Sequence, residues 1–383
     1  MYKKEPIKNT NYLCLILIGM NKLIKRGMVF ILVFIAIGEL AIRASDAVKG
    51  NNFFSNEFRD KLVIKNKNPI VPFTIFGPVY YVEKNGVKYI SSSHNELYPL
   101  KKTANTFRII CLGGSTTESP FAYKDYKIHY PLVLQRLLRE AYSNKNIEVI
   151  NVSFSAYSTA HLLVLLLLDV ISWEPDLVII CENINDMDAT YRNDLKFDYS
   201  NKYGSRPFMP DFYDNYTTLN VLFRWSSFYW FLEKRITIYS EKSRPKKEIP
   251  KTSYGKTPPK ISQDIFRRNL LNFYYITSKW NIPLLYSTQP LNSITGSFGY
   301  LVWDDAMKNV KVPLDSERKS HHEFFNKIIK EVALNTNSYF LDNDSLLGGE
   351  PKYFMDEVHY SKIGIEKLAG NYRDYIISKN IIK

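Results

Sequence analysis

Short apolar runs alternate with longer amphipathic segments from residue 107 to the C-terminus. The short runs have the length and β-branched content of buried strands, and they are FRIICL, IEVIN, DLVIICE, PLLYSTQ and SYFLDN. The segments between them place apolar residues at helical spacing, as in PLVLQRLLREAY and ISQDIFRRNLLNFYYITSKW. Because strands that alternate with helices form βαβ units, this pattern predicts a parallel sheet with helices on both faces.

We expect a three-layer α/β/α fold with a doubly wound, flavodoxin-like parallel sheet of about five strands, preceded by a transmembrane helix. The expected segments are a basic cytoplasmic N-terminus (1–27), a transmembrane anchor (28–44), a stalk with a small β-hairpin (45–104) and the α/β domain (105–380). The hairpin is predicted by two alternating segments, PVYYVE and VKYISS, which are joined through Lys84-Asn85-Gly86.

An insertion interrupts the alternation of strands and helices at about residues 187–262. Its first part is rich in aromatic residues, and its second part is basic and proline-rich, which is typical of an exposed loop. Within it, TTLNVLFRWSSFYWFLEKR at 217–235 predicts a helix with aromatic side chains around much of its circumference. Packing against the sheet edge is the simplest role for this helix, and a lid, a sugar-stacking platform and a membrane-facing surface are the alternatives.

The segment MVFILVFIAIGELAI at 28–42 is apolar apart from Glu39. With its flanks it approaches the roughly 20 residues that cross a bilayer. Lys22, Lys25 and Arg26 precede it, so the positive-inside rule predicts a cytoplasmic N-terminus and an exported remainder. A cleaved signal peptide is the alternative, although ELAIRASDA has no clean cleavage site free of charge, which favours an uncleaved anchor.

The composition narrows the possible partners. A formal net charge of +13 is compatible with nucleic-acid binding, but the lysines are spread along the chain except for clusters at the N-terminus and at 242–260. We therefore expect no nucleic-acid partner and instead attraction to an anionic membrane or cell-surface polymer. Cys14, Cys111 and Cys181 have neither metal-ligand nor disulfide spacing, and the histidines have no metal-site pattern. We expect neither a metal nor a cofactor.

The first predicted strand runs into GGSTT at 113–117, beyond the strand end where ligands bind in such sheets. A Walker phosphate loop requires a terminal Gly-Lys-Ser/Thr, and a dinucleotide loop requires G-x-G-x-x-G; neither is present. We therefore interpret Ser115 as a nucleophile, with two small glycines opening space around its hydroxyl. His359 is the candidate general base, and Asp356, three residues earlier, is its candidate orienting partner.

An acyl-transfer site also requires donors directed at the developing oxyanion. The backbone N–H groups of Ser115 and Ala156 and the side-chain amide of Asn185 follow adjacent predicted strands. Together these residues define four blocks, which are GGSTT, NVSFSAYST, NIND and DEVH. In their order and in their positions at strand ends, the blocks resemble those of the SGNH/GDSL hydrolases over roughly residues 105–375.

The resemblance implies specific roles for these residues. Ser115 matches the nucleophile, Asn185 the oxyanion-hole side chain, and Asp356 with His359 the D-x-x-H block. Ala156 stands where the family usually has a glycine whose backbone N–H lines the oxyanion hole. Asn183 replaces the glycine of the family's G-x-N-D block, which alters the turn or narrows the pocket.

The resemblance also implies the activity of a serine esterase on oxygen esters, such as O-acetyl groups on carbohydrate or lipid esters. The exported anchor and the basic charge favour a cell-surface glycan or glycolipid. An O-acyltransferase of polysaccharide modification is one alternative, because it uses the same residues. A non-catalytic glycan-binding or assembly protein is the other; Ala156 and Asn183 favour it, whereas retention of the nucleophile, the amide, the acid and the base opposes it.

Four further polar residues near these blocks have simpler expected roles. We expect His129 to cap a helix or lie at the surface, and His161 to be a core or edge residue. Glu118 and Asp188 are near the site in sequence, and we expect them to be solvated or to cap helices.

Overall fold

The computed structural model describes residues 22–48, 80–191, 195–199, 226–243, 251–292 and 312–383. The chain divides into two compact units, one formed by Met1–Ile70 with Asp211–Pro245 and the other by Val71–Pro210 with Lys246–Lys383. Most of the predicted cytoplasmic N-terminus, residues 49–79 of the predicted stalk and much of the insertion lie outside the described residues.

The strands among the described residues are β1 (Tyr80–Lys84), β2 (Val87–Ser91), β3 (Leu97–Pro99), β4 (Thr106–Gly113), β5 (Asn146–Ser153), β6 (Leu177–Cys181), β7 (Lys251–Thr252), β8 (Leu284–Ser287), β9 (Val312–Pro313) and β10 (Tyr339–Leu341). The helices are α1 (Lys22–Val48), α2 (Ser115–Glu118), α3 (Pro120–Tyr126), α4 (Tyr130–Ala141), α5 (Thr159–Leu168), α6 (Ile184–Thr190), α7 (Ser227–Ser243), α8 (Lys260–Lys279), α9 (Asp315–Asn335), α10 (Asn343–Leu347) and α11 (Lys362–Ser378).

The first unit contains α1 and α7. By length and composition, Ile24–Val48 is a helix able to cross a membrane, a description that a signal sequence also fits. Glu39 accepts hydrogen bonds from the Ser226 hydroxyl (2.8 Å) and from the backbone N–H groups at the start of α7. A Cβ atom at Gly38 would lie 2.6 Å from the Phe228 ring, so glycine permits the close approach of the two helices.

The second unit is built on a five-stranded sheet in the order β10-β8-β6-β4-β5, with every pair parallel. Each of its strands coincides with an apolar run that the sequence pattern assigned to a strand. A parallel strand that is covered by helices on both faces is mainly apolar along its length, and such runs can be recognised in the sequence. The prediction of a doubly wound, flavodoxin-like sheet is confirmed.

Alternate side chains of the sheet enter two separate cores. On one face, residues such as Ile110 pack with Phe266 and Phe325, which lie on α8 and α9. On the other face, residues such as Ile109 pack with Leu134 of α4 and with α11. Cys111 in β4 and Cys181 in β6 are buried free thiols, and burial raises their pKa values.

The predicted hairpin is present as β1 and β2. Asn85 and Gly86 have φ angles of 52° and 75°, which is the left-handed turn that an Asn-Gly pair favours. A third strand, β3, pairs with β2, and Ile90 and Tyr98 of this small sheet are buried in a core cluster of the α/β domain. The described part of the expected stalk therefore packs against the domain.

Arg108, inside β4, links the small sheet to the large one. Its guanidinium is fully buried and bonds to the Glu148 carboxylate, the Trp173 carbonyl and the Pro99 carbonyl, each at 2.7 Å. A buried charge persists when it is paired and fully hydrogen-bonded. The charged residue of FRIICL is thus a structural link inside an otherwise apolar strand.

Candidate active site

The nucleophile turn, Gly113–Glu118, begins where β4 ends. Gly114 precedes the four-residue helix α2, and Ser115 is its first residue. A Cβ atom at Gly113 would clash with the Thr117 side chain and lie 2.8 Å from the Cys181 carbonyl. The two glycines were expected to open space around the serine hydroxyl, but at least at Gly113 the space admits neighbouring protein atoms.

Gly114 lies equally close to the third block. A Cβ atom there would collide with the Asn185 amide and lie 2.6 Å from Oε2 of Glu182. The absence of a side chain lets the amide of Asn185 come directly against the backbone that carries Ser115. The glycine pair therefore sets the spacing between two of the predicted site residues.

The base turn, residues 354–360, brings His359 to Ser115 across 244 residues of chain. Nε2 of His359 lies 2.8 Å from the Ser115 hydroxyl, and its Nδ1 lies 2.7 Å from Oδ2 of Asp356. The other oxygen of Asp356 accepts the backbone N–H groups of Val358 (2.9 Å) and His359 (2.8 Å). The structure thus joins the three predicted residues by two consecutive hydrogen bonds.

These bonds determine the charge state of the acid. Burial by itself would raise the pKa of the Asp356 carboxyl, but the hydrogen bonds from the ring and backbone of His359 hold that pKa below its ordinary value. An ionised Asp356 accepts a hydrogen bond from Nδ1–H of His359, so Nε2 presents its lone pair to Ser115. The hydroxyl, the imidazole and the carboxylate are thus linked in the order that a serine nucleophile, a base and an orienting acid would require.

The base turn is fixed at its root by a buried ion pair that the sequence reading missed. Glu357, inside the DEVH block, pairs with Nη1 of Arg318 on α9, and both side chains are 3% exposed. Asn292 adds a backbone bond of 2.8 Å to the Glu357 carbonyl. Phe121 of α3 packs edge-on against the His359 ring, with centroids 4.8 Å apart. The base turn is therefore held by the ion pair with α9 on one side and by the Phe121 ring on another.

Asn185 lies in the first turn of α6 and is 6% exposed. Its side-chain Nδ2 has no hydrogen-bond partner among the described residues, and it lies against Gly114 next to Ser115. Glu182 accepts the backbone N–H groups of Asn183 (3.1 Å) and Asn185 (3.0 Å), which fixes the start of this helix. A buried donor without a protein acceptor matches what an oxyanion hole requires.

The two departures from the family pattern have local explanations. Ala156 has a φ of +70°, the left-handed conformation that glycine adopts most readily, so this position has a backbone that a glycine would also fit. Asn183 has a negative φ and directs its amide to the His322 carbonyl (3.0 Å) and to Asn326 (2.9 Å) on α9. The side chain of Asn183 is therefore used in packing the helix layer.

His129 and His161, which follow the first and second blocks in sequence, cap helices. His129 is buried, and its Nδ1 accepts the N–H of Leu132 at the start of α4, as expected for a cap. Its Nε2 also bonds to Glu96 at 2.6 Å. His161 is buried and completes a capping box with Ser158. Among the described residues, no group of three or more His, Cys, Asp or Glu side chains is arranged to hold a metal ion.

Glu118 differs from its expected role. Its side chain is half-buried and accepts a hydrogen bond of 2.6 Å from the Ser155 hydroxyl in the second block, where we expected solvation or helix capping. Burial raises the pKa of this carboxyl, although bonds from Ser155 and the charge of His359 partly offset the rise. No sequence motif marks this contact, because Glu118 ends α2 and Ser155 lies in the loop after β5.

Comparison with known proteins yields distant matches. No family model matches the chain, and no curated protein matches it. Among solved structures, it is similar to the acetylxylan esterase Axe2 from Geobacillus stearothermophilus, at 16% identity over 70% of this chain and 94% of that one, with a TM-score of 0.41. It is also similar to a GDSL-like lipase from Bacteroides thetaiotaomicron, at 13% identity over 71% and 88%, with a TM-score of 0.38.

A lipase/acylhydrolase from Enterococcus faecalis is similar at 16% identity over 71% of this chain and 96% of that one, with a TM-score of 0.40. In its four blocks and their places at the strand ends, the chain resembles the SGNH/GDSL hydrolases. Similarity at these scores assigns neither activity nor substrate, and the chemistry follows from the site itself.

Proposed function

We propose that this chain is a serine esterase of the SGNH/GDSL type that hydrolyses an oxygen ester. The observation that carries the proposal is the sequence of two hydrogen bonds from Asp356 through His359 to the Ser115 hydroxyl, at 2.7 and 2.8 Å. Both are within the distance needed for proton transfer and orientation.

In the proposed reaction, Nε2 of His359 removes the hydroxyl proton as Ser115 attacks the ester carbonyl. The Asn185 amide and the backbone N–H groups of Ser115 and Ala156 stabilise the tetrahedral oxyanion. His359 then gives the proton to the leaving alcohol, and the acyl group remains on Ser115. A water molecule, deprotonated by the same histidine, releases the acid and restores the serine.

Asp356 contributes by charge and by orientation. A low pKa keeps its carboxylate ionised at neutral pH, next to the imidazolium that forms during both steps. Its second oxygen, bonded to the backbone of Val358 and His359, prevents the carboxylate from turning away. The ring therefore needs little reorganisation when it accepts the proton.

For the substrate, we propose an ester carried by an anionic cell-surface glycan or glycolipid, such as an O-acetyl group on carbohydrate. Of the formal charge of +13, residues 1–27 carry +5, so the part proposed to lie outside the membrane still carries +8, which supports attraction to such polymers. The apolar helix α1 supports attachment to a membrane, with the N-terminus in the cytoplasm and the esterase domain outside. Neither a cofactor nor a nucleic-acid partner has a place in this proposal.

We also propose that α1 is retained as an anchor instead of being cleaved. Glu39 supplies acceptors to the Ser226 hydroxyl and to the N–H groups of Ser227 and Phe228, so removal of α1 would uncap α7. A C-terminally tagged chain should keep its full mass and stay in the membrane fraction after an alkaline wash. A shorter chain that washes off would contradict this part of the proposal.

The esterase proposal is tested by labelling the full-length chain in detergent with a fluorophosphonate probe. Labelling should occur in the wild type and disappear in Ser115→Ala, whereas Ser378→Ala, which removes an exposed serine of α11, should behave like the wild type. Absence of Ser115-dependent labelling would overturn the proposal. With an acetylated glycan, released acetate identifies a hydrolase, and transfer of acetyl to a second glycan identifies the acyltransferase alternative.

A further inference from the structure

Glu118 connects the nucleophile turn to the loop after β5. It is the last residue of α2, three residues after Ser115. Its carboxylate accepts the hydroxyl of Ser155 at 2.6 Å, and the backbone N–H of Ser155 also interacts with it. Its own backbone carbonyl accepts Nε2–H of His94 at 2.6 Å, from the loop between β2 and β3. The backbone of Glu118 is thus fixed by His94, and its side chain in turn binds the loop after β5.

The segment that it holds has a conformation that needs support. Ala156, next to Ser155, has a φ of +70°. A non-glycine residue in the left-handed region costs about 1–2 kcal/mol, which the surroundings must offset. On the preceding side, the N–H of Phe154 bonds to the Gly113 carbonyl at 3.3 Å. On the following side, the N–H of Tyr157 closes a turn onto Phe154 at 3.0 Å.

We infer that Glu118 is a positioning residue for the proposed reaction: by gripping Ser155, it holds the Ser155–Ala156 peptide in the conformation that directs the Ala156 N–H to the oxyanion. The inference deepens the proposed function and rests on it, because a positioned oxyanion donor matters only if Ser115 reacts. Glu118 itself touches neither the ester nor the proton that is transferred.

The acceptor oxygen of Glu118 is the essential feature of this role, and its charge is secondary. A glutamine retains an oxygen that can accept the Ser155 hydroxyl, whereas an alanine removes the contact. Loss of one oxyanion-hole donor costs about 10²–10³-fold in kcat, and a donor that is misdirected instead of deleted should cost less, about 10–100-fold. Ground-state binding of the ester does not use the oxyanion donor fully, so KM should change little.

The test compares Glu118→Ala, Glu118→Gln and Ser155→Ala in the full-length chain, with kcat and KM measured on an acetyl ester and the rate of phosphonylation measured with the fluorophosphonate. We expect Glu118→Ala to lower kcat and the phosphonylation rate by about 10–100-fold with KM within about threefold, and Glu118→Gln to restore most of the loss. Ser155→Ala should also lower kcat and the phosphonylation rate, but by a smaller factor, because the backbone N–H of residue 155 remains. Circular dichroism and thermal melts establish that each variant is folded.

Two outcomes overturn the inference. One is an unchanged kcat in folded Glu118→Ala, and the other is a loss in Glu118→Gln as large as in Glu118→Ala, which would assign the effect to charge. If Glu118→Ala does not fold, Ser155→Ala replaces it in the test: a lower kcat with a nearly unchanged KM supports the inference, and an unchanged kcat overturns it. A wild-type chain that does not react at Ser115 would remove the proposed function, and a reactive wild type with an equally reactive Glu118→Ala would remove the inference alone.

Discussion

The nucleophile turn and the base turn meet at one hydrogen bond, but they are built on opposite principles. The nucleophile turn is held by close packing, since Gly113 and Gly114 leave no room for a side chain against neighbouring strand ends. The base turn is held by polar bonds, since the Asp356 carboxylate accepts the backbone N–H groups of Val358 and His359, and Glu357 pairs with buried Arg318. Steric changes should therefore damage the first turn, and changes of charge or hydrogen bonding the second.

The largest expected effect is the loss of the base itself. His359→Gln should lower kcat by about 10³–10⁴-fold, because a glutamine amide cannot take the serine proton. The free energy of unfolding should change by less than about 1 kcal/mol, because only a partly exposed side chain is altered. Steady-state kinetics and urea unfolding measure the two quantities. Lys352→Ala, an exposed change just before the same turn, should leave both at wild-type values, and an active His359→Gln would refute the proposed chemistry.

The next effect concerns the root of the base turn. Arg318→Met should destabilise the chain by about 3–5 kcal/mol, because it leaves the Glu357 carboxylate buried without its cationic partner. The double variant Arg318→Met with Glu357→Leu should recover much of that loss, because no uncompensated charge then remains. Urea unfolding of the two single variants and the double variant measures this coupling. Additive losses would show that the ion pair does not hold the turn.

A methyl group tests the nucleophile turn. Gly114→Ala should lower kcat by about 10²–10³-fold, because the new Cβ displaces the Asn185 amide from its place beside Ser115. It should also destabilise the chain by about 1–3 kcal/mol through overpacking. Gly370→Ala, in α11 where a Cβ meets nothing within 4 Å, is the matched control and should be neutral or slightly stabilising. Wild-type kinetics in Gly114→Ala would contradict the steric account.

The smallest effect is a dependence of stability on pH that arises from His322, a buried residue of α9. Burial, together with the neighbouring Arg318 charge, lowers the pKa of His322 to about 3. Below the ordinary histidine value of about 6.5, the unfolded chain binds a proton that the folded chain excludes, so this residue lowers stability as pH falls from about 6.5 towards 3. The slope is about 1.4 kcal/mol per pH unit. Unfolding free energies of the wild type and His322→Leu at pH 7 and 5 measure it, and parallel curves would contradict it.

The five strands of the large sheet and most helices of the α/β domain follow from local pattern, because each of these strands is a mainly apolar run. β3 escaped prediction because LYP is too short to show a period, and Arg108 gave no sign of its role within FRIICL. The observed α7 begins at Ser227, within the aromatic segment predicted to be helical from 217, while 217–225 lies outside the described residues.

At the candidate site, the residues that could be predicted from the sequence are those that lie in short motifs. Ser115, Asn185, Asp356 and His359 were named from the residues around them, and the structure places Asn185 and His359 beside the serine turn. The supporting contacts were not predicted. They are the hydrogen bond between Glu118 and Ser155 and the ion pair between Glu357 and Arg318, and each joins two segments that share no sequence motif. Burial decides that such polar groups must be paired, and burial is a property of the packed chain.

Residue spacing by itself determined where strands and helices form, that Asn85-Gly86 turns, and that a serine, a base and an acid are available at the ends of elements. Only the tertiary structure decided that His359 lies 2.8 Å from Ser115 and that the glycines beside the serine accommodate protein atoms. Local periodicity reports short-range preferences of the backbone. Distances across 244 residues of chain depend instead on the order of strands in the sheet and on the packing that holds their ends together.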